Sequence, residues 1–122
     1  MAEELDKKID ALIHEIADEL HELKATEKRY LRRVLDGLTN AGLSYLFVRE
    51  SCAPDDIANI GRHLQSAKDW LEEAAWSGET GETVEEQERR YRRLLEKFDD
   101  LERLMREAIR EICSCRPFKS RK

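Results

Sequence analysis

Residues 84–112 read VEEQERRYRRLLEKFDDLERLMREAIREI, and their apolar positions follow the period of an α-helix. Steps of three and four residues separate Val84, Gln87, Tyr91, Leu94, Phe98, Leu101, Met105, Ala108 and Ile112. This spacing places one apolar seam along one side of a helix and leaves charged side chains on the other. The segment therefore predicts a long amphipathic helix that packs on other helices.

Three more stripes with the same period precede this segment. The first comprises Leu5, Ile9, Leu12, Ile16, Leu20 and Leu23; the second Leu31, Val34, Leu38, Ala41, Tyr45 and Val48, widened by Leu35 and Leu46; the third Ile57, Ile60, Leu64, Ala67, Leu71 and Ala74. Pro54 separates the second stripe from the third, because proline disfavours helix at the residue before it and suits the first helical turn. Thr83 and Glu86 predict a capping box at the start of the last helix.

The joint between the first two stripes allows two interpretations. Residues 24–28 contain no glycine or proline, so they fit either a tight turn or the interior of one helix about 75 Å long. The fold class is therefore all-α: an antiparallel bundle of four helices, or of three with a long first helix. We expect residues 1–115 to form this bundle and residues 116–122 to be a basic flexible tail.

Composition and charge argue against several functions. The 122 residues carry a net charge of −5, and without the four cations of residues 116–122 the remainder carries −9. Nucleic-acid binding needs a basic face, so we expect no nucleic-acid partner. The sequence contains no glycine-rich phosphate loop and no arrangement typical of nucleophilic catalysis, so we expect no enzyme, no cofactor and no small-molecule substrate.

The histidines suggest two sites that we weigh and reject. His14, Asp18 and His21 share one helix face and could ligate zinc, but a solvated polar face explains them more simply. His63 and Lys68 resemble the helix that histidine phosphotransfer bundles phosphorylate, although Gln65 and Ser66 replace the expected Lys-Gly pair. We therefore expect no metal site and no phosphotransfer.

Cys52, Cys113 and Cys115 form an odd set without a disulfide framework, which favours a reducing compartment and a cytoplasmic location. Cys113 and Cys115 stand beside the basic tail, an arrangement that a two-signal membrane anchor requires. Membrane contact, if present, is therefore expected only through the tail.

Two segments resemble the C-terminal helical lid of the 70-kilodalton heat-shock chaperones. LSYLFVRE at residues 43–50 is similar to a segment near the end of the long lid helix, and DWLE at residues 69–72 is similar to the family's Trp-Leu-Asp/Glu signature. The charged helix after residue 85 also looks like the one that follows there. The resemblance spans residues 31–112 and implies a non-enzymatic subdomain that covers or contacts protein substrates. The acidic tail of cytosolic members is absent, since this sequence ends in a basic segment.

The sequence thus predicts a non-catalytic module that binds a partner protein, or a second copy of itself, through an apolar helix face. The expected contact residues are Leu5, Leu12, Trp76 and Val84, with an exposed Trp76 as a binding anchor. Aromatic residues such as Phe47 and Trp70 are more simply explained as core. The alternatives are a membrane-peripheral adaptor anchored through Cys113 and Cys115, and a structural homodimer.

Overall fold

The computed structural model describes residues 2–22, 28–75 and 83–114. These ranges contain four helices and no strand: α1 (Ala2–Glu22), α2 (Lys28–Ser51), α3 (Pro54–Ala75) and α4 (Val84–Ser114). The prediction of an all-α fold is confirmed.

Each helix runs antiparallel to the next one along the chain. Tyr45 near the end of α2 contacts Asp6 near the start of α1, and Lys68 of α3 pairs with Asp99 of α4. α2 packs most extensively on α3, and α1 packs mainly on α4, whereas α1 and α3 lie at opposite corners. Because α1 and α2 lie side by side, the interpretation of the first two stripes as one straight helix is wrong.

One apolar core lies between the four helices, and no polar or charged side chain of the described residues is buried. The predicted stripes supply nearly all of it: Ile9, Ile16, Leu20, Val34, Leu38, Ala41, Tyr45, Val48, Ile60, Leu64, Ala67, Leu71, Leu94, Phe98, Leu101, Met105, Ala108 and Ile109. The amphipathic pattern therefore determines which face of each helix is buried.

Two helix starts follow the predicted capping signals. The amide of Glu86 donates to the Thr83 hydroxyl at 3.1 Å, and the amide of Thr83 donates to the Glu86 carboxylate at 3.0 Å, which is a capping box. Pro54 is the first residue of α3, and Asp56 accepts a hydrogen bond from Ser51.

The described cysteines form a disulfide, which corrects the expectation that the cysteines lack a framework. Cys52, in the joint between α2 and α3, is bonded to Cys113 in the last turn of α4, with 5.7 Å between their Cα atoms. The two are 61 residues apart in the sequence, so no local pattern indicated their proximity. Cys115 lies outside the described residues.

Candidate partner-binding groove

An apolar groove with a volume of about 430 Å³ lies between α1 and α2. Ile9 and Ile13 of α1 form one wall, and Leu38, Leu43 and Leu46 of α2 form the other. We call these five residues, with Gly42 at the floor, the α1/α2 groove.

Gly42 has no side chain to occupy the α1/α2 groove. A methyl group at this position would lie 3.7 Å from Cδ1 of Ile13, an ordinary van der Waals distance. The glycine thus leaves room for one small group above the floor, and a larger side chain here would fill the groove.

Two of the three apolar side chains of the α2 wall are exposed to solvent. Leu43 is 50% exposed and Leu46 is 54% exposed, and Phe47 beside them is 65% exposed. Burying each of these side chains against a partner would contribute about 1 kcal/mol, since full burial of such a residue is worth roughly twice that. Three adjacent exposed side chains of this kind are typical of protein-binding surfaces.

A polar cluster closes one end of the groove, where α1 begins and α2 ends. The Tyr45 hydroxyl donates to Oδ1 of Asp6 at 2.5 Å, and Arg49 pairs with Oδ2 of the same carboxylate at 2.9 Å. Desolvation by burial and the Asp6 carboxylate together raise the pKa of the Tyr45 phenol well above its usual range, despite the opposing effect of Arg49. The phenol therefore stays protonated and holds α1 on α2 at this end.

A second polar cluster fixes the other half of α1 to α4. Lys97 donates to Glu15 at 2.8 Å and also to Glu19, and Arg93 pairs with Glu19 at 3.3 Å. The side chains of Glu19 and Lys97 are only 15% and 18% exposed, so these contacts are largely shielded from solvent. Polar contacts therefore join α1 to α2 at one end and to α4 at the other, in addition to the apolar contacts of its buried face.

The contact residues predicted from sequence do not form one surface. Leu5 and Leu12 are partly buried against the core, whereas Val84 is 66% exposed at the start of α4. Leu5 and Val84 lie at opposite ends of the antiparallel pair α1/α4. Trp76 lies outside the described residues.

Of the two cysteines predicted as a membrane anchor, the structure describes only Cys113. Cys113 is bonded to Cys52, so in this form it has no thiol for acylation, and Cys115 lies outside the described residues. No helix in the part of the chain that the structure describes combines the length and apolarity needed to cross a membrane.

The histidines that we rejected as a metal site bond to their own helix. The Nδ1 atoms of His14 and His21 donate to the carbonyl oxygens of Asp10 and Ala17, at 2.9 and 2.8 Å. Within residues 2–22, 28–75 and 83–114, no group of three His, Cys, Asp or Glu side chains is placed to share a metal ion.

Sequence reasoning missed Leu43, Leu46 and Phe47 as surface residues. Five of the six residues 43–48 are apolar or aromatic, which is more than one buried face of a helix can cover. That excess is the signal for a second apolar face on α2. The comparisons with known proteins add no candidate, because no protein family, curated protein or solved structure matches the chain significantly.

Proposed function

We propose that this chain is a non-catalytic helical module that binds an amphipathic helix of a partner protein in the α1/α2 groove. The observation that carries the proposal is the row of exposed apolar side chains, Leu43, Leu46 and Phe47, beside an open apolar groove. A helix with apolar residues three and four positions apart would cover this row. Asp10 at the rim would favour a basic residue at the edge of the partner helix.

The test compares two exposed apolar residues, one in the groove and one far from it. Leu46→Glu places a charge in the groove, whereas Val84→Glu places the same charge at the start of α4. We expect a photo-crosslinker at position 43 to capture one defined partner, and Leu46→Glu, but not Val84→Glu, to abolish the crosslink. Equal loss in both variants, or crosslinking from position 84 alone, would contradict a groove-specific function.

Self-association is the second outcome that this experiment distinguishes. If sedimentation equilibrium shows a dimer that Leu46→Glu converts to a monomer, the occupant of the groove is a second copy. That result would support the structural homodimer and overturn the assignment of a separate partner protein.

The chaperone-lid resemblance stays a prediction about the class of partner. Under it, the groove would cover segments of many unfolded proteins rather than one dedicated helix. Crosslinking to a broad set of unfolded clients would favour the lid interpretation, and crosslinking to one stoichiometric protein would favour a dedicated adaptor.

The membrane-peripheral alternative has less support, because the disulfide occupies one of its two candidate acylation sites. The cytoplasmic location also stays a prediction, and the disulfide argues against it, since disulfides persist mainly in oxidising compartments.

A further inference from the structure

A second concave surface lies between α2 and α3, at the opposite end of α2 from the Asp6–Arg49 contact. This cleft has a volume of about 910 Å³ and is lined by Arg29, Tyr30, Arg33, Arg62, Gln65, Ser66, Asp69, Trp70 and Glu73. Three guanidinium groups from two helices thus surround one cleft, which we call the arginine cleft.

Two of the arginines stack on the aromatic wall of the arginine cleft. The rings of Tyr30 and Trp70 stack with 5.5 Å between their centroids. The guanidinium of Arg29 lies 5.2 Å from the Tyr30 ring, and that of Arg33 lies 4.7 Å from the Trp70 ring. The guanidinium of Arg33, held in this way, has restricted motion, and its N–H donors lie in one plane.

The charge at the start of α2 is unfavourable for the helix itself. The first six residues of α2, KRYLRR, include four cations, and its first turn has no acid, whereas α1, α3 and α4 each begin with two acids. Cations near the positive end of a helix dipole reduce helix stability. Helix stability therefore does not explain the cluster.

Nearby carboxylates do not neutralise the arginine cleft fully. Among the described residues, Arg33 contacts the Trp70 ring and no carboxylate forms an ion pair with it, and Arg62 donates to the Asn59 side chain at 2.9 Å. Asp69 accepts a hydrogen bond from Gln65 at 3.0 Å. Although Asp69 and Glu73 line the same cleft, neither carboxylate forms an ion pair with Arg33.

We propose that the arginine cleft binds an acidic segment of another protein, with carboxylates on the guanidinium groups and an apolar or aromatic side chain against Trp70. Arginine binds carboxylates through two parallel N–H donors, which suits this planar arrangement. The flat Tyr30–Trp70 wall offers apolar area between the charges.

The two acids of the cleft favour a peptide over a nucleic acid. Asp69 and Glu73 line the same cleft as the arginines and would repel an unbroken row of phosphates. A peptide presents separated carboxylates, so it can reach the arginines while placing a neutral or basic residue beside these acids. This site is independent of the α1/α2 groove, which lies on another face of α2.

The test uses a synthetic peptide in which glutamate alternates with serine around one phenylalanine, and a matched peptide with glutamine in place of glutamate. Trp76→Phe leaves Trp70 as the only tryptophan, so that its fluorescence reports on the cleft. We expect saturable binding of the glutamate peptide that weakens with added salt, and at least about tenfold weaker binding of the glutamine peptide.

Substitutions assign the binding to the cleft. We expect Arg33→Gln to weaken the glutamate peptide about tenfold or more, and Arg92→Gln to have no effect. Arg92 is the matched control because it lies on α4 and pairs with Glu88 at 2.8 Å. If Arg33→Gln does not fold by circular dichroism, Arg33→Lys keeps the charge without the bidentate geometry, and weaker binding is still expected.

Three results would overturn the proposal. Equal binding of the glutamate and glutamine peptides would exclude carboxylate recognition, and the absence of binding at millimolar peptide would exclude the site. Tighter binding of inorganic phosphate or of a single-stranded oligonucleotide than of the glutamate peptide would assign the cleft to a different class of ligand.

Discussion

Gly37 sets the distance between α2 and α3. A methyl group at this position would lie 2.8 Å from Cβ of Ala67 and 3.0 Å from the backbone oxygen of His63, and neither atom can rotate away. The helices would have to separate, as in other overpacked cores. We expect Gly37→Ala to lower the free energy of unfolding, measured by urea denaturation, by about 1–3 kcal/mol.

Gly61 provides the control for this substitution, since it is also a glycine inside a helix. A methyl group at Gly61 would come no closer than 3.9 Å to a neighbouring side chain, that of Glu102. Because alanine favours the helix over glycine, Gly61→Ala should raise the free energy of unfolding by about 0.5–1 kcal/mol. A stabilising Gly37→Ala would contradict the close approach of α2 and α3.

Cys52 is the one described non-glycine residue with a left-handed backbone, at a φ of 52°. This conformation costs an L-residue about 1–2 kcal/mol, and glycine adopts it without that cost. Both Cys52→Gly and Cys52→Ser remove the disulfide, so comparing the two isolates the backbone effect. We expect Cys52→Gly to be more stable than Cys52→Ser by about 1 kcal/mol in urea denaturation, and equal stabilities would contradict this.

Among the helices, the pairing of α1 with α4 should depend on pH. Although desolvation raises the pKa of Glu19, its contacts with Lys97 and Arg93 lower it below the ordinary value. Although desolvation lowers the pKa of Lys97, its contacts with Glu15 and Glu19 raise it above the ordinary value. The stability from Glu19 is therefore present above its unfolded pKa of about 4.3 and lost as pH falls through the lower folded value.

The contribution of Lys97 has the opposite sign. It is present below the unfolded pKa of about 10.4 and lost as pH rises through the higher folded value. Lys97→Met should lower the free energy of unfolding at pH 7 by about 1.5–3 kcal/mol and flatten its dependence on pH below pH 5. Arg92→Met removes only the exposed pair with Glu88 and should cost at most about 0.5 kcal/mol. Equal effects of the two substitutions would contradict a shielded α1/α4 network.

The helices were predictable because their signals are local. The capping box at Thr83 and Glu86, and the break at Pro54, depend on residues within one turn, and the apolar period identifies the core face. The pairing of the helices depends on contacts between distant residues, such as Lys97 with Glu15, which no local pattern contains. The sequence therefore predicted the elements and the bundle but left the joint between α1 and α2 open.

The α1/α2 groove was harder to predict, because exposure depends on which neighbour covers each face. Leu46 looked like an extension of the buried stripe, and it would be one if α1 packed closely on this part of α2. α1 instead packs mainly on α4, where Glu19 pairs with Arg93 and Lys97. The tertiary contacts therefore decide which apolar side chains of residues 43–48 are buried. They leave Leu43, Leu46 and Phe47 in a row at the surface.

In the bundle as a whole, α2 contributes to both proposed binding surfaces. Its C-terminal half forms a wall of the α1/α2 groove, and its N-terminal turns form a wall of the arginine cleft. The first surface is apolar and the second combines cations with aromatic rings, so the two suit ligands of different chemistry. The core face of α2 lies between these two surfaces, and the contacts of α2 with α3 fix the position of the helix.

The disulfide joins the end of α2 to the last turn of α4 and should contribute much of the stability of the bundle. Bonding Cys52 to Cys113 restricts the unfolded chain across 61 residues that include all of α3 and nearly all of α4. Such a restriction stabilises the folded state by about 2–4 kcal/mol. We expect Cys113→Ser to lower the free energy of unfolding by this amount under oxidising conditions and to have little effect in the presence of reductant. Cys115→Ser serves as the control under both conditions.

Mass spectrometry after alkylation tests the bond directly in protein taken from the source cell. Since the chain contains three cysteines, denatured protein should take up one alkyl group before reduction and three after it. Uptake of three groups before reduction would show that the disulfide is absent in the cell. Such a result would agree with the predicted cytoplasmic location and would restore Cys113 as a free thiol beside the basic tail.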